Sequence, residues 1–254
     1  MRPYANLAGK VVLITGGSAG IGLAAAHHFA AAGLRVVIAA RRVPEGEAAA
    51  AAIAAESGEA LFVPTDITRE QDVERAGRRC MEVFGSLDFA FNNAGIGRGG
   101  RVDNLTEEDF DAVFAVNAKG LWLSMKHELT WMRRQGAGVI VNNVSVHGFR
   151  TVFPGVAAYV AAKHAAVALT RVAALENRAA GIRVNGVAPG PIDTKMLRAS
   201  EDTVGGKKAW LPLIPAGRVG RPEEVASVVL WLFSDSSSYV VGEIVAVDGG
   251  FLAY

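Results

Sequence analysis

Val11-Val12-Leu13-Ile14-Thr15-Gly16-Gly17-Ser18-Ala19-Gly20-Ile21-Gly22 joins a short apolar run to a glycine-rich turn, and an alanine-rich segment extends from it to about Ala32. Such an apolar run is typical of a strand buried on both faces of a parallel sheet. Glycines allow the backbone to turn sharply and approach a pyrophosphate, which binds the free N–H groups at the positive end of the following helix. The stretch therefore predicts a strand, a nucleotide-binding turn and a helix; the alternative is a tight turn without a ligand. The expected contacts are Gly16, Ser18, Gly20, Ile21 and Gly22.

A second apolar segment, Arg35–Ala40, follows Gly33 and predicts the next strand of a right-handed βαβ unit. Enzymes that prefer NAD usually carry an acidic residue at the end of this strand, where it binds the adenosine ribose, but Ala40 stands there. Arg41 comes next, and its guanidinium can pair with a 2′-phosphate, so we expect NADP(H) to be preferred. If Arg41 and Arg42 are only solvated charges, or Arg41 stacks on the adenine, NAD(H) would serve equally well.

The first half of the chain continues the alternation of helices and strands. Residues 44–56 predict a helix, residues 61–63 a third strand and residues 87–91 a fourth. Asp66, followed by Ile67, either hydrogen-bonds an adenine amino group or caps a helix that starts near Thr68. After the fourth strand come Asn92, Asn93, Ala94 and Gly95. Small residues there allow a ribose or nicotinamide to pass close to the backbone, and the amides can hold the strand ends together.

Polar residues also interrupt the apolar second half of the chain. Residues 106–134 predict one long helix that starts with a capping box of Thr106 and Asp109 and carries Asn117 near its middle. A buried Asn needs a hydrogen-bond partner, and taken alone Asn117 is expected to bond the backbone. Residues 139–144 predict the fifth strand, and Ser145 lies just past it, where parallel sheets place their ligands.

Tyr159 and Lys163 are four residues apart on a predicted helix that extends to about residue 180. This spacing places both side chains on one helix face. An ammonium beside a phenol favours the phenolate, which makes acid–base chemistry near neutral pH accessible. Taken alone, the pair favours a packed tyrosine and a solvated lysine; the rest of the chain reverses this interpretation.

The chain resembles the short-chain dehydrogenase/reductase family in the order of its motifs. These are the glycine-rich turn, Asn92-Asn93-Ala94-Gly95, Asn117, Ser145, Tyr159 and Lys163. The resemblance runs from about residue 7 to residue 251 and includes the segments 181–185, 189–194 and 248–250. It implies an α/β fold in which residues 1–254 form a single Rossmann-type domain. The expected sheet is doubly wound, with seven parallel strands in the order 3-2-1-4-5-6-7 and helices on both faces. Residues 182–187 and 243–247 would be its last two strands.

The resemblance also implies a mechanism. Ser145 and Tyr159 would hold a substrate carbonyl, and Tyr159 would deliver the proton during hydride transfer. Lys163 would lower the tyrosine pKa and hold the nicotinamide ribose, and Asn117 would position a water that links Lys163 to solvent. Thr194 would bond the nicotinamide carboxamide. Further cofactor contacts are expected from Pro189, Gly190 and Ile192.

The expected substrate pocket carries two further features. The family more often places the Tyr thirteen residues after the Ser, so the loop before Tyr159 here carries one extra residue. His147 lies two residues after Ser145 and is expected to be a pocket wall or a solvent-facing group rather than a second base. By resemblance, residues 191–215 form a substrate lid, whose apolar content around Trp210 predicts a hydrophobic substrate; the alternative is ordinary packing onto the core.

Composition excludes several other classes. The 254 residues include 26 basic and 25 acidic side chains, a net charge of +1, so there is no nucleic-acid footprint. Glycines and polar residues interrupt the uncharged run between Lys10 and Arg35, which argues against a membrane span. No apolar leader follows Met1, and Cys80 is the only cysteine, so we expect a cytoplasmic protein without an intrachain disulfide. We assign no metal ligands.

We therefore expect an oxidoreductase that acts on an apolar ketone or secondary alcohol. One alternative is a 3-oxoacyl carrier-protein reductase, but such enzymes often carry a basic residue where Ala180 stands. The other alternative is a dinucleotide-binding protein without catalytic activity. The presence of Ser145, Tyr159, Lys163 and Asn117 argues against it. By resemblance we also expect a homotetramer that pairs the helices at residues 106–134 and 159–180 and uses residues 249–254 at another interface.

Overall fold

A parallel sheet of seven strands organises the chain. The computed structural model describes residues 7–56, 58–200 and 205–253. The strand order is β3-β2-β1-β4-β5-β6-β7, which confirms the predicted order. The strands are β1 Val11–Thr15, β2 Arg35–Ala40, β3 Ala60–Pro64, β4 Phe89–Asn92, β5 Gly138–Asn143, β6 Ile182–Pro189 and β7 Ile244–Val247.

Helices cover both faces of the sheet. They are α1 Gly20–Ala31, α2 Val43–Ala55, α3 Glu70–Phe84, α4 Glu107–Phe114, α5 Leu121–Gln135, α6 Ala157–Asn177, α7 Lys195–Ala199, α8 Gly206–Trp210 and α9 Pro222–Phe233. Helices α1, α2 and α9 contribute to the core on one face, and α3, α5 and α6 to the core on the other.

Strand β1, at the centre of the sheet, shows why the apolar runs in the sequence are continuous. All five residues of β1 are buried, and side chains alternate between the two faces of a strand. Val12 and Ile14 pack into the core with α1 and α9, whereas Val11 and Leu13 pack into the core with α3, α5 and α6. Since both faces are covered, no position in this strand tolerates a polar side chain until the strand reaches its carboxyl end.

The long helix predicted at residues 106–134 is interrupted. It starts at α4 with Thr106 as its cap, whose side chain accepts from the backbone N–H of Asp109 at 3.1 Å. A π-helical segment, Ala115–Gly120, then separates α4 from α5. Such segments are rare and frequently occur at functional sites. The prediction of a single regular helix was wrong here, because the wider turn that contains Asn117 has no local sequence signal.

The helix expected to start near Thr68 begins instead at Glu70. Asp66 does not cap it: its Oδ1 accepts from the backbone N–H of Thr68 at 3.0 Å and from the Thr68 hydroxyl at 2.8 Å, closing a short turn before the helix. The capping alternative for Asp66 was therefore wrong, and its carboxylate lies at the end of β3.

No helix in the described ranges has both the length and the apolar character needed to cross a membrane. The start of the chain at Met1, residues 201–204 of the expected lid and the last residue of the expected C-terminal interface, Tyr254, lie outside the described residues.

Candidate active site

A cleft of about 770 Å³ opens at the carboxyl ends of the strands. Almost all the side chains singled out from the sequence line it, although they come from distant parts of the chain. They are Gly16, Ser18, Gly20, Ile21, Arg41, Asp66, Ile67, Asn93, Ala94, Gly95, Ser145, Tyr159, Lys163, Pro189, Gly190, Ile192 and Thr194. Gly22 and Asn117 do not line the cleft; both act behind its wall.

The glycine-rich turn has the conformation that its composition predicted. Gly16 and Gly20 have φ values of 66° and 54°, a region that other residues rarely adopt. Gly22 is required for a different reason: a Cβ there would overlap the carbonyl oxygen of Gly16 and the side-chain amide of Asn93. Helix α1 starts without a side-chain cap at Ala19, so its first N–H groups remain available to an anion.

Asn93 joins the glycine-rich turn to the neighbouring strand. Its Nδ2 donates to the carbonyl oxygens of Thr15 at 3.3 Å and Gly16 at 3.2 Å. In return the Thr15 hydroxyl oxygen accepts from the backbone N–H groups of Asn93 at 3.1 Å and Ala94 at 3.2 Å. The prediction that these amides hold the strand ends together is confirmed; the part played by Thr15 was not foreseen.

Ser145 and Tyr159 meet in the cleft through their side chains. Ser145 is the one non-glycine residue in the described ranges with positive φ, 142°, a strained conformation of a kind that clusters at active sites. Its Oγ accepts from the backbone N–H of His147 at 3.1 Å. Burial raises the pKa of the Tyr159 phenol, and a hydrogen bond with the Ser145 side chain opposes that rise. The hydroxyl groups of these two residues can therefore share one substrate oxygen.

Lys163 lies behind Tyr159 on the same face of α6. The side chain is buried, and its Nζ donates to the backbone carbonyl of Asn143 at 2.9 Å and lies 5.6 Å from the centroid of the Tyr159 ring. Burial lowers the pKa of the Lys163 ammonium to about 8. Burial raises the pKa of the Tyr159 phenol, and the Lys163 ammonium is directed to the carbonyl of Asn143. The expected lowering of the tyrosine pKa by Lys163 therefore stays a prediction.

Asn117 is almost fully buried in the π-helical segment. Its Oδ1 accepts from the backbone N–H of Ile96 at 2.9 Å, and its Nδ2 donates to the carbonyl of Ile96 at 2.8 Å. This confirms the bonding to backbone expected from the residue alone. Asn117 thereby fixes the backbone that follows Gly95, where an added Cβ would contact both Asn117 Oδ1 and Lys163 Nζ.

A cluster of aromatic rings lies at one wall of the cleft, which His147 and Trp210 line. His147 packs edge-on against Tyr159 and Trp210, with ring centroids 5.9 and 5.4 Å apart. Trp210 also contacts Phe153 at 4.9 Å and Phe251 at 5.3 Å between centroids. Burial lowers the pKa of the His147 imidazole, while a backbone hydrogen bond with Arg150 opposes that change. His147 is thus a buried part of the pocket wall. Of the two positions expected for it, wall or solvent-facing group, the structure confirms the first.

Comparisons with known proteins agree with this geometry. A family profile described as enoyl-(acyl carrier protein) reductase matches residues 16–252. The chain is 40% identical over 251 residues to 2,5-dichloro-2,5-cyclohexadiene-1,4-diol dehydrogenase of Sphingobium indicum, covering 98% of this chain and 99% of that protein. It is 38% identical over 257 residues to levodione reductase of Leifsonia aquatica, covering 98% and 96%. The chain belongs to the short-chain dehydrogenase/reductase family.

Solved structures of short-chain dehydrogenases/reductases superpose closely on it. One from Mycobacterium marinum has a TM-score of 0.93 and 35% identity, covering 98% of this chain and 97% of the other. A putative 2-deoxy-D-gluconate 3-dehydrogenase from Agrobacterium tumefaciens, solved with bound NADP, has a TM-score of 0.89 and 36% identity over the whole of both chains. This chain is therefore an oxidoreductase of that family.

Membership of this family implies a nicotinamide dinucleotide, and the residues of the cleft fit such a cofactor. At Gly95 a Cβ would lie 3.3 Å from Asn117 Oδ1 and 3.7 Å from Lys163 Nζ, so a side chain there would fill the space above the ammonium. At Gly20 it would lie 3.3 Å from Thr194 Cγ2, where the turn and the Thr194 segment approach each other. Glycine at both positions leaves room for a ligand to lie against the backbone.

The two arginines after β2 have different surroundings. Arg42 Nη1 forms an ion pair with Glu45 Oε1 at 2.9 Å, one helical turn later. Arg41 is exposed at the rim of the cleft, and within the described ranges no hydrogen bond or ion pair engages its side chain. Of the two, Arg41 is thus the guanidinium with no competing partner in the described ranges, whereas Arg42 is shared with Glu45.

Sequence reasoning missed the backbone carbonyl of Asn143, the acceptor for Lys163. A backbone carbonyl oxygen has no residue-specific signal in the sequence, so only the packing of α6 against the end of β5 reveals this acceptor. It also missed Ile96, which is apolar and contributes through its backbone alone.

Proposed function

We propose that this oxidoreductase interconverts compact, apolar secondary alcohols and ketones and prefers NADP(H). The observation that carries the proposal is the convergence of Ser145, Tyr159 and Lys163 in the same cleft that the glycine-rich turn lines. A bound nicotinamide would supply or accept the hydride. The oxidoreductase class follows from the family, whereas the roles below are our assignment.

We assign the proton transfer to Tyr159. The Ser145 and Tyr159 hydroxyl groups hold the substrate oxygen, and Tyr159 delivers a proton to it in reduction or takes one from it in oxidation. A phenol with a raised pKa is a proton donor at neutral pH, and oxidation requires the phenolate. The positive charge of Lys163 favours the phenolate whenever its ammonium turns from Asn143 toward the cleft.

Lys163 has a second role in this proposal, which is to hold the nicotinamide ribose. Its position next to Gly95 supports that contact. Asn117 supports the site indirectly, since its two hydrogen bonds to Ile96 fix the backbone between Gly95 and α4. Thr194, at the start of α7, has its hydroxyl toward Ile192 and Leu197 and would bond the carboxamide after a rotation of its side chain.

The preference for NADP(H) rests on Arg41. Ala40 leaves no carboxylate at the end of β2 to repel a 2′-phosphate, and the free guanidinium of Arg41 lies at the same edge of the cleft. The relative solved with NADP supports this choice of cofactor. An exposed guanidinium–phosphate pair contributes about 1.5 to 3 kcal/mol, or about one to two decades in affinity.

The substrate class follows from the wall of the pocket. Trp210, His147 and Leu197 present apolar or neutral surface to the substrate side of Tyr159. The diol dehydrogenase relative, whose name specifies a six-membered ring, supports a cyclic alcohol or ketone of similar size. We propose that residues 191–215 act as the lid over this pocket, so Trp210→Ala should raise KM for cyclic substrates while leaving KM for the cofactor unchanged.

We also propose a homotetramer. Apolar side chains on α5 and α6 remain exposed on the outside of the chain, among them Trp122, Val172 and Leu175, the last 81% exposed. Burying such surface against the same helices of a second copy would form a two-fold interface. Light scattering at micromolar concentration tests this: a monomeric wild type contradicts it, and Leu175→Asp should reduce the assembled species.

We place the protein in the cytoplasm, where its one thiol would remain reduced. Cys80 is free and completely buried in α3, which is compatible with a reducing compartment. Fractionation of the native host with a cytoplasmic marker tests this assignment.

The decisive experiment follows nicotinamide absorbance of purified protein with NADP(H) and NAD(H) against a panel of cyclic and linear ketones, secondary alcohols and diols. Turnover of at least one small alcohol or ketone, lost in Tyr159→Phe, is the expected result. A carrier-protein reductase would instead require a 3-oxoacyl group on an acidic carrier, so that substrate belongs in the panel. A folded protein that binds dinucleotide but converts nothing in the panel would favour the non-catalytic alternative.

A further inference from the structure

A buried chain of polar side chains runs beneath the cleft, on the side of the sheet covered by α5 and α6. We call it the Glu128 network; its members are Glu128 on α5, Asn92 at the end of β4, Asn142 on β5 and Thr170 on α6. None of the four is more than 3% exposed. Asn92 and Asn142 are partners in the register of β4 with β5. The mechanism above uses none of these side chains.

The direction of each hydrogen bond in the network follows from its acceptors. Thr170 donates to a carbonyl one turn earlier on α6 at 2.7 Å, so its oxygen accepts from Asn142 Nδ2 at 2.9 Å. The other proton of this amide points to Met125 Sδ at 3.2 Å. Asn142 Oδ1 therefore accepts from Asn92 Nδ2 at 3.1 Å, and Asn92 Nδ2 donates its second proton to Glu128 Oε2 at 2.9 Å.

Two buried oxygen atoms of the network are left without a partner within the described ranges: Asn92 Oδ1 and Glu128 Oε1. If Glu128 were ionised, both would be acceptors without a donor, and a buried carboxylate with no basic partner is strongly unfavourable. A proton on Glu128 turns its carboxyl group into a donor next to the amide that already binds it. We infer that Glu128 is a neutral carboxylic acid paired with the Asn92 side-chain amide, and that this pair positions the strand ends that hold Lys163.

The surroundings of Glu128 favour the neutral form. Burial raises the pKa of its carboxyl group to about 8, and the hydrogen bond from Asn92 opposes that rise. The titratable group that faces it from α3 is Cys80; burial raises the pKa of that thiol, as would the negative charge of Glu128 if it were ionised. The basic neighbours on α5, Lys126 and His127, turn outward to Glu70. The members of the network on β4, β5 and α6 are uncharged, and Asn92 contacts Glu128 directly.

The network connects to the cleft through the next residue of each strand. Asn143 Nδ2 donates to Asn93 Oδ1 at 2.9 Å, and the carbonyl of Asn143 accepts from Lys163 Nζ at 2.9 Å. The ends of β4 and β5 are thus joined twice, by Asn92 with Asn142 and by Asn93 with Asn143. Glu128 contacts neither substrate nor cofactor in this scheme; it is a positioning residue.

Unfolding of wild type and Glu128→Gln from pH 5 to pH 9 tests the protonation. Between the ordinary value of 4.5 and about 8, the folded chain keeps the Glu128 proton while the unfolded chain releases it, so wild-type folding weakens as pH rises. A glutamine can pair with Asn92 at every pH. The ratio of the folding constants of Glu128→Gln and wild type should rise about tenfold per pH unit across this window and level off above it. A ratio that is constant or falls with pH overturns the inference.

Glu70→Gln is the matched control. Glu70 also contacts α5, but its hydrogen bonds to Lys126 and then His127 lower the pKa of its carboxyl group. Its contribution should therefore fade only below about pH 4.5, so the corresponding ratio for Glu70→Gln should stay flat from pH 5 to pH 9. If Glu128→Gln fails to fold, infrared spectroscopy of the wild type decides: the C=O band of a protonated carboxyl should be present at pH 6 and disappear as pH rises through about 8. Absence of that band at pH 6 overturns the inference.

The positioning role is tested by the cofactor KM. Wild-type KM should rise at pH 9 relative to pH 7, whereas Glu128→Gln should show a smaller rise and Glu128→Ala a high KM at both values. Equal rises in wild type and Glu128→Gln would contradict the link to Lys163. This last readout rests on the proposed function. A chain without turnover would overturn that function, and the unfolding and infrared results would still decide the protonation of Glu128. Cofactor affinity, measured by fluorescence, would then replace KM as the test of the positioning role.

Discussion

Lys163 Nζ donates its hydrogen bond to the backbone carbonyl of Asn143, 2.9 Å away, rather than to a carboxylate. In the part of the chain that the structure describes, no carboxylate forms an ion pair with this ammonium, and burial lowers its pKa to about 8. A bound cofactor or the Tyr159 phenolate would supply the missing partner. The acceptor that the structure provides is a neutral backbone oxygen, so this hydrogen bond does not balance the charge of the ammonium.

Replacement of Lys163 should separate stability from function. Between about pH 8 and 10.5 the unfolded chain keeps the lysine proton and the folded chain releases it, so wild-type stability rises with pH in that window. Lys163→Met should lack this rise and should be more stable than wild type at pH 7 by about 1 to 3 kcal/mol, after loss of one hydrogen bond. Urea unfolding at pH 7 and pH 10 measures it. Cofactor affinity should fall in the same variant; an unchanged dissociation constant would contradict the ribose contact.

Tyr159→Phe should reduce turnover by about 10² to 10⁴-fold, because it removes the proton donor and keeps the ring that packs against His147. Initial rates with the best substrate of the panel provide the measurement. Dinucleotide affinity, followed by fluorescence titration, should remain close to wild type. Activity within a few-fold of wild type would reject the assignment of Tyr159 as acid and base.

Arg41→Ala should reduce the ratio of kcat/KM for NADP(H) over NAD(H) by about one to two decades, since it removes the guanidinium expected to pair with the 2′-phosphate. Arg42→Ala is the matched control, because that guanidinium is already paired with Glu45 and should affect the ratio little. A wild-type preference for NAD(H), or an NADP(H) preference that survives loss of Arg41, would show that this residue does not select the cofactor.

Asn117→Ala should destabilise the fold by about 2 to 4 kcal/mol, since it leaves the backbone N–H and carbonyl of Ile96 without their partners. Chemical unfolding measures the change. Asn104→Ala, at an exposed position before α4, is the control and should be nearly neutral. If Asn117→Ala keeps wild-type stability, then water replaces the side chain at Ile96, and the rigid connection from Gly95 to α4 is not needed.

The sheet was predictable because its signals are local. A strand covered on both faces must be apolar at consecutive positions, and β1, β2 and β5 show such runs in the sequence. The strand order itself came from the resemblance, since no local pattern determines which strands become neighbours. Likewise Ser145, Tyr159 and Lys163 were recognisable by residue type and spacing, because their chemistry resides in their side chains.

By itself, then, the sequence determined the alternation of strands and helices, the glycine-rich turn and the identity of the reactive side chains, all of which depend on residues near one another in the chain. Only the tertiary structure decided the π-helical turn at Asn117, the carbonyl of Asn143 as the acceptor for Lys163, and the isolation of Glu128 beside Asn92. The physical reason is that backbone acceptors carry no residue signature, and that desolvation depends on which distant elements cover a group. From the sequence, Glu128 on α5 would be assigned to the surface; only the packing of α5 against the rest of the fold shows that it is buried.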